Sequence, residues 1–128
     1  MAQILIIDDE YLTTEMLAAF LDLIGHQATE AHSGQEMWSK LHYMQPDVIL
    51  LDVMLPDANG LDLCAKLRAN APTARVPIII ISAQAPPLNH EAKDVGADAY
   101  LVKPISLQAL RDILASVGVT DKRRAARP

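Results

Sequence analysis

ILIIDDEYL, residues 4–12, runs four large aliphatic side chains straight into three acids. A strand covered on both faces reads as an unbroken aliphatic run, because neither of its alternating sides meets water. Residues 4–7 are therefore predicted to be an interior strand. The acids lie beyond that interior, and their meaning depends on what other segments bring to the same place. Two further runs share the aliphatic pattern, at residues 48–51 and 78–81. Residues 27–31 make a weaker, edge-like strand, and residues 99–102 close the series.

Amphipathic segments lie between these strands. Leu12, Met16, Phe20 and Leu23 recur at helical spacing as the apolar stripe of a first helix, which stops at Gly25, a residue suited to the left-handed backbone after a helix end. Met37, Leu41 and Met44 form a second stripe, stopped by Pro46. Leu61, Cys64, Ala65 and Leu67 form a third, after the turn signal DANG at residues 57–60. A short fourth helix is predicted over residues 87–95. Ser106 is the predicted N-cap of a fifth, whose Leu107, Leu110, Ile113 and Leu114 face inward before Gly118. Strict alternation of strands and helices predicts an α/β fold: one doubly wound parallel sheet of five strands, with right-handed crossovers and helices on both faces.

Composition agrees. At 128 residues, 51% hydrophobic and net charge −5, the chain has the size and balance of one folded domain. The single cysteine, Cys64, can form no internal disulfide and reads as a small core residue, so a reducing cytoplasm is the expected setting. No basic segment precedes the first apolar run, and no run has the length of a bilayer span, so neither export nor a membrane partner is expected. Residues 121–128, DKRRAARP, carry four basic side chains and one acid, or +3, which leaves −5 − 3 = −8 for residues 1–120. An acidic body repels phosphate backbones, and no nucleic-acid binding is expected of this chain. The tail has no apolar periodicity and reads as a linker or a ragged end.

Ligands of doubly wound sheets collect at the carboxyl ends of the strands. The residues standing there are Asp8 and Asp9, Asp52, Ser82 and Lys103. Three clustered carboxylates repel one another unless a cation neutralises them. Mg²⁺ suits them, because it takes one or two carboxylates, keeps several waters and accepts phosphate oxygens. Lys103 adds a positive charge and Ser82 a donor for a bound anion. The set describes a site for a transferable phosphoryl group, with a carboxylate as nucleophile.

In ILIIDDE, PDVILLDVMLPDANGLDLC, VPIIIISA and GADAYLVKPI, the chain resembles the receiver domain of two-component response regulators, over residues 4–119. The resemblance implies a flavodoxin-like, chemotaxis-regulator-like sheet of order 2-1-3-4-5, a receiver domain at residues 1–119, and a basic tail or linker at residues 120–128. It implies that Asp52 is the phosphoacceptor, converted to an aspartyl phosphate by a phosphohistidine on a sensor histidine kinase or phosphotransfer protein, or by a small phosphodonor. Asp9 would hold Mg²⁺ directly and Asp8 through a water, with Asp52 and the backbone carbonyl of Met54 completing the protein ligands. Ser82, the backbone amide of Ala83, and Lys103 would bind the phosphoryl group. The bond from Lys103 to Pro104 is expected to be cis and to aim the lysine inward. Tyr100 takes the place of the switch aromatic, which turns inward as Ser82 moves toward the phosphate. That motion remodels the surface of the fourth helix, fifth strand and fifth helix, which regulates a partner protein or output domain or forms a homodimer. Catalysis would extend only to the domain's own phosphoryl transfer and slow autodephosphorylation. Met54 and Gln84 stand where members of the family tune phosphate lifetime. From Ser82 to Lys103 is 103 − 82 = 21 positions, one fewer than in many members, and two prolines stiffen the intervening loop and shorten the fourth helix.

Other readings are plainer. Asp57 reads as a turn former. His26, His32, His42 and His90 lack paired ligand spacing and read as surface residues, and Trp38 as a cover for the sheet edge. The bland alternative for Tyr100 is a strand aromatic with no switching role. An aspartate-nucleophile phosphatase would want a second acid two residues after Asp52, where Met54 stands. A flavodoxin-like electron carrier would want hydroxyls where DDEYL places acids. The remaining alternative is a phosphorylation-independent protein interaction module.

Overall fold

The structure, a computed structural model, describes residues 2–83 and 88–119. Gln84, the two prolines of the following loop and the basic tail at residues 120–128 lie outside the described residues. The element order is β1 (Gln3–Ile7), α1 (Tyr11–Leu23), β2 (Gln27–Ala31), α2 (Gly34–Leu41), β3 (Val48–Asp52), α3 (Gly60–Ala69), a 3-10 turn (Ala71–Thr73), β4 (Ile78–Ser82), α4 (Asn89–Asp94), β5 (Ala99–Val102) and α5 (Leu107–Ser116). All five strands pair in parallel, in the order β2-β1-β3-β4-β5. This is the doubly wound parallel sheet expected from the alternation, in the flavodoxin-like order that the resemblance implies.

The unbroken aliphatic runs divide between two cores, because successive side chains on a strand point to opposite faces. Leu5, Ile7, Ile49, Leu51, Ile78 and Ile80 pack with Met37, Leu63, Cys64, Leu67 and Ala92 on the side of α2, α3 and α4. Ile4, Ile6, Val48, Leu50, Ile79 and Ile81 pack with Leu17, Leu21, Leu110 and Leu114 on the side of α1 and α5. Each buried aliphatic side chain contributes roughly 1.5–3 kcal/mol. The register brings the strand ends level: Ile7 pairs with both Ala31 and Leu51, Asp52 with Ile81, and Ser82 with Val102.

Helix ends follow local chemistry. Ser33 accepts the Glu36 amide at the start of α2, Asn59 accepts the Leu61 amide at the start of α3, and Ser106 accepts the Ala109 amide at the start of α5. Gly25 follows α1 with φ of 92°, as the sequence predicts, and Gly118 follows α5 in the same way with φ of 91°. α2 ends at Leu41 with His42 as its C-cap, so Pro46 follows the helix rather than stopping it. α4 is confined to Asn89–Asp94.

The buried stripe of α1 differs from the expected one. Its buried residues are Thr14, Leu17 and Leu21, whereas Leu12 is 82% exposed and Leu23 67%. The helix is apolar on more than one side, so helical spacing alone supports two stripes. Thr14 tolerates burial because its hydroxyl donates to the Tyr11 carbonyl (3.0 Å) and meets the His32 ring (3.1 Å). In α3 the inward positions are Leu63, Cys64 and Leu67, with Ala65 exposed, and in α5 Leu107 is exposed. The histidines also divide. His42 and His90 are on the surface, but His26 is buried and accepts the Ala2 amide, and His32 stacks on the Tyr11 ring at 3.7 Å. Trp38 packs against the α2–α3 core. Among the described residues no helix is long and apolar enough to cross a membrane.

Candidate functional site

Strand parity decides which side chains meet at the carboxyl rim. Asp8 continues the side of Ile4 and Ile6, Asp52 that of Val48 and Leu50, and Lys103 that of Leu101, so all three follow the α1/α5 face. They converge there. The Lys103 Nζ lies 2.7 Å from Asp8 Oδ2, 3.1 Å from Asp52 Oδ2 and 3.0 Å from Glu10 Oε1. Asp8 and Asp52 are buried and Asp9 is exposed at the mouth. The turn after β1 is tightened by the Glu10 amide, which donates to Asp8 Oδ1 at 3.0 Å. That turn is how consecutive Asp8 and Asp9 serve one site. The Lys103–Pro104 peptide is cis, as expected.

These charges perturb one another. Burial, reinforced by the Asp8 charge, raises the Asp52 carboxyl from 3.8 to about 6, against the opposing pull of Lys103. Burial alone would lower the Lys103 ammonium. Hydrogen bonds to Asp8 and Glu10, with the charges of Asp52 and Asp8, outweigh that effect and hold it well above an ordinary lysine. Lys103 is thus fixed as a cation in a pocket with excess negative charge.

The donor set fits a hard divalent cation. Asp8, Asp9 and Asp52 each offer a carboxylate oxygen, and the three oxygens lie within 4.8 Å of one another. Oxygens around one Mg²⁺ sit about 3–4 Å apart, given metal–oxygen distances of about 2.1 Å, so a small side-chain adjustment closes the set. The Met54 side chain is exposed, and its amide donates to Asp52 Oδ1 at 3.4 Å. Beside the carboxylates, Glu10, Thr13, Met16, Ala83, Lys103, Pro104 and Ile105 line an open cavity of about 460 Å³.

Ser82 and Tyr100 follow the opposite parity. Ser82 is buried at the end of β4, and its carbonyl accepts the Lys103 amide at 2.9 Å, which ties the two strand ends together. Tyr100 packs half-buried against the α2–α4 core, and its hydroxyl accepts the Leu88 amide at 2.9 Å. It stands beside the charged pocket rather than in it.

Two residues escaped the sequence reading. Glu10 is the third acid of the opening run, and only its reach to Lys103 marks it as part of the site. Asp57 does more than form a turn. Its Oδ1 and Oδ2 accept the Gly34 and Gln35 amides at 2.7 and 2.9 Å across the rim, and those bonds hold its carboxyl below the usual range.

A model of the response regulator receiver domain family matches residues 4–115. The chain belongs to this family. Among its relatives, the phosphate regulon transcriptional regulatory protein PhoB of Pseudomonas aeruginosa is 38% identical over 108 residues, which cover 84% of this chain and 47% of that protein. Protein PilH of the same species is 32% identical over 118 residues, which cover 91% of this chain and 98% of PilH. The receiver domain of a sensor histidine kinase from Pseudomonas aeruginosa, solved with magnesium coordinated in its active-site cleft, superposes with a TM-score of 0.79 at 27% identity, over 91% of this chain and 98% of that one. The receiver chain spans about half the length of the transcriptional regulators it matches.

Proposed function

We propose that this receiver domain is a phosphorylation-dependent signalling switch, in which Asp52 takes a phosphoryl group from a phosphohistidine on a sensor histidine kinase or phosphotransfer protein. The observation that carries this reading is the convergence of Lys103 on two buried carboxylates, 2.7 Å from Asp8 and 3.1 Å from Asp52, with Asp9 beside them. An Asp52 carboxylate oxygen attacks phosphorus, the phosphorus–nitrogen bond breaks, and the imidazole leaves with its electron pair. Asp8, Asp9, Asp52 and the Met54 carbonyl would hold Mg²⁺, which supplies charge neutralisation for the carboxylates and the transferring group. Lys103 gives up its contact with Asp52 and pairs with the phosphoryl oxygens. The Ser82 hydroxyl and the Ala83 amide donate to those oxygens.

The response follows from the same contacts. A phosphoryl group adds nearly two negative charges at a fixed cation, and Ser82 gains a charge-assisted hydrogen bond by moving toward it. Ser82 and Tyr100 share a side of the sheet, so this motion changes the packing available to Tyr100 and to the start of α4. The surface of α4, β5 and α5 then presents a different face to an output domain, a separate target or a second copy of the chain. Residues 1–119 form the receiver unit and residues 120–128 a basic tail or linker. The acidic body argues for a protein partner rather than nucleic acid or membrane, and the cytoplasm is the proposed setting.

Intact mass after incubation with acetyl phosphate tests the proposal. A labile gain of one phosphoryl group that requires both Mg²⁺ and Asp52 is expected, and Asp52→Asn abolishes it. A folded, Mg²⁺-binding wild-type chain that stays unmodified with acetyl phosphate and with a competent kinase would refute the switch and argue for the phosphorylation-independent module.

A further inference from the structure

We infer that Asp57 is a positioning residue for the phosphoryl-acceptor site: it clamps the loop between β3 and α3 onto the start of α2, and so holds the Met54 backbone and the end of β3 in the geometry that takes up the cation. The inference rests on the phosphoryl-acceptor reading above.

The loop is a small closed unit. Met54 and Asn59 form an antiparallel bridge, the Leu55 amide donates to the Ala58 carbonyl at 3.2 Å, and the Gly60 amide donates to the Val53 carbonyl at 2.6 Å. Gly60 is pressed against the Asp52 carbonyl so closely that any side chain there would collide with it. Displacement of the loop is therefore transmitted directly to the backbone of the phosphoacceptor. Val53 roots the loop in the core and Leu55 and Ala58 pack half-buried against that core, whereas Met54, Pro56, Asp57 and Asn59 are exposed.

Asp57 stands at the exposed tip and supplies a polar anchor there. Its two carboxylate oxygens take consecutive helix-start amides, Gly34 at 2.7 Å and Gln35 at 2.9 Å. Such amides have no partner within the helix, and a carboxylate there also meets the positive end of the helix dipole. α2 has its own local caps, since Ser33 accepts the Glu36 amide and Glu36 accepts the His32 amide. The Asp57 carboxylate takes two other amides of the same helix start and so ties the loop tip to an end that is already ordered. The approach is close as well as polar. A Cβ added at Gly34 would lie 3.2 Å from Ala58 Cβ and 3.3 Å from Asp57 Oδ1, so a side chain there would press on the seated loop.

The test is a Mg²⁺ titration of the metal-free chain followed by amide chemical shifts, which separates metal uptake from folding, on wild type, Asp57→Ala and Gly34→Ala. Residues that support metal ligands from behind typically cost ~10-fold or more in metal affinity when removed. The expected result is a loss of about that size in Asp57→Ala, a smaller loss in Gly34→Ala, and faster amide exchange at residues 54–59 in both. Folded variants that bind Mg²⁺ as tightly as wild type would overturn the inference, even if they melted earlier. Should Asp57→Ala fail to fold, Gly34→Ala decides. A chain whose Mg²⁺ uptake depends on Asp57 but whose Asp52 takes no phosphoryl group would keep the clamp and refute the acceptor reading. A wild type that binds no Mg²⁺ would refute both.

Discussion

The carboxyl rim of the sheet has two halves built on opposite strand parities. On the α1/α5 side, Asp8, Asp52 and Lys103 are drawn into one ionic cluster, with distances of 2.7–3.1 Å. On the α4 side, Ser82 is buried and Tyr100 accepts the Leu88 amide at 2.9 Å. The first half is stiff and charge-dense, and each member's energy depends on the others. In the second, Tyr100 is held by apolar packing and a neutral hydrogen bond to the Leu88 amide, contacts that are easier to exchange. A two-residue alternation thus sets the charged groups that would take a phosphoryl group on one side and Tyr100 on the other, with Ser82 at the rim where the proposed motion would join them.

The comparison can be broken most severely at Lys103. Lys103→Ala leaves Asp8, Asp52 and Glu10 facing one another without a cation, and removal of one partner from such a pair is expected to cost about 3 kcal/mol in the metal-free protein. Saturating Mg²⁺ should restore much of that loss, because the metal supplies the missing charge. Thermal melting with and without Mg²⁺ measures it, and an equal loss in both conditions would contradict the electrostatic account.

A smaller effect follows from the Asp52 carboxyl, which titrates near 6 in the folded metal-free chain against an ordinary 3.8. Between those values the folded form keeps a proton that the unfolded chain releases. The strain at Asp52 is therefore fully present above pH 6 and is relieved as the pH falls toward 4. Asp52→Asn should accordingly be more stable than wild type at pH 7.5, by on the order of 2 kcal/mol. The difference should shrink toward zero near pH 4, and Mg²⁺ should erase it at neutral pH. Chemical denaturation across this range gives the answer.

The gentlest perturbation sits on the other half. Tyr100→Phe removes the acceptor for the Leu88 amide, worth about 1 kcal/mol locally. Amide exchange at Leu88 should quicken by several-fold, with Mg²⁺ affinity unchanged. A large change in Mg²⁺ affinity would show that the two halves are not separable in the resting protein.

Legibility in the sequence divided along the same line. The aliphatic runs of β1, β3 and β4 declare themselves because both faces are buried, and Asp8, Asp9, Asp52, Ser82 and Lys103 are found by inspecting the carboxyl end of each strand. Their convergence is a matter of parity and register, which periodicity contains. α1 was harder, since Leu12, Met16 and Leu23 satisfy helical spacing as well as Leu17 and Leu21 do, and the burial of Thr14 depends on the ring of His32, eighteen residues away. Glu10 and Asp57 were opaque for a related reason. Each acts through the reach of a side chain across a turn, to Lys103 in one case and to the α2 amides in the other. No spacing rule encodes such a reach.

The most direct test of the division is amide exchange of the receiver chain with Mg²⁺ and beryllofluoride, a tetrahedral mimic of the phosphoryl group, in wild type and Asp52→Asn. Altered protection should appear at the Asp52 end of β3 and, in addition, at Leu88, α4 and β5. Both changes should be absent in the variant. Protection changes confined to the residues around Asp8, Asp52 and Lys103, with Leu88 and β5 untouched, would contradict the claim that the charged half drives the other.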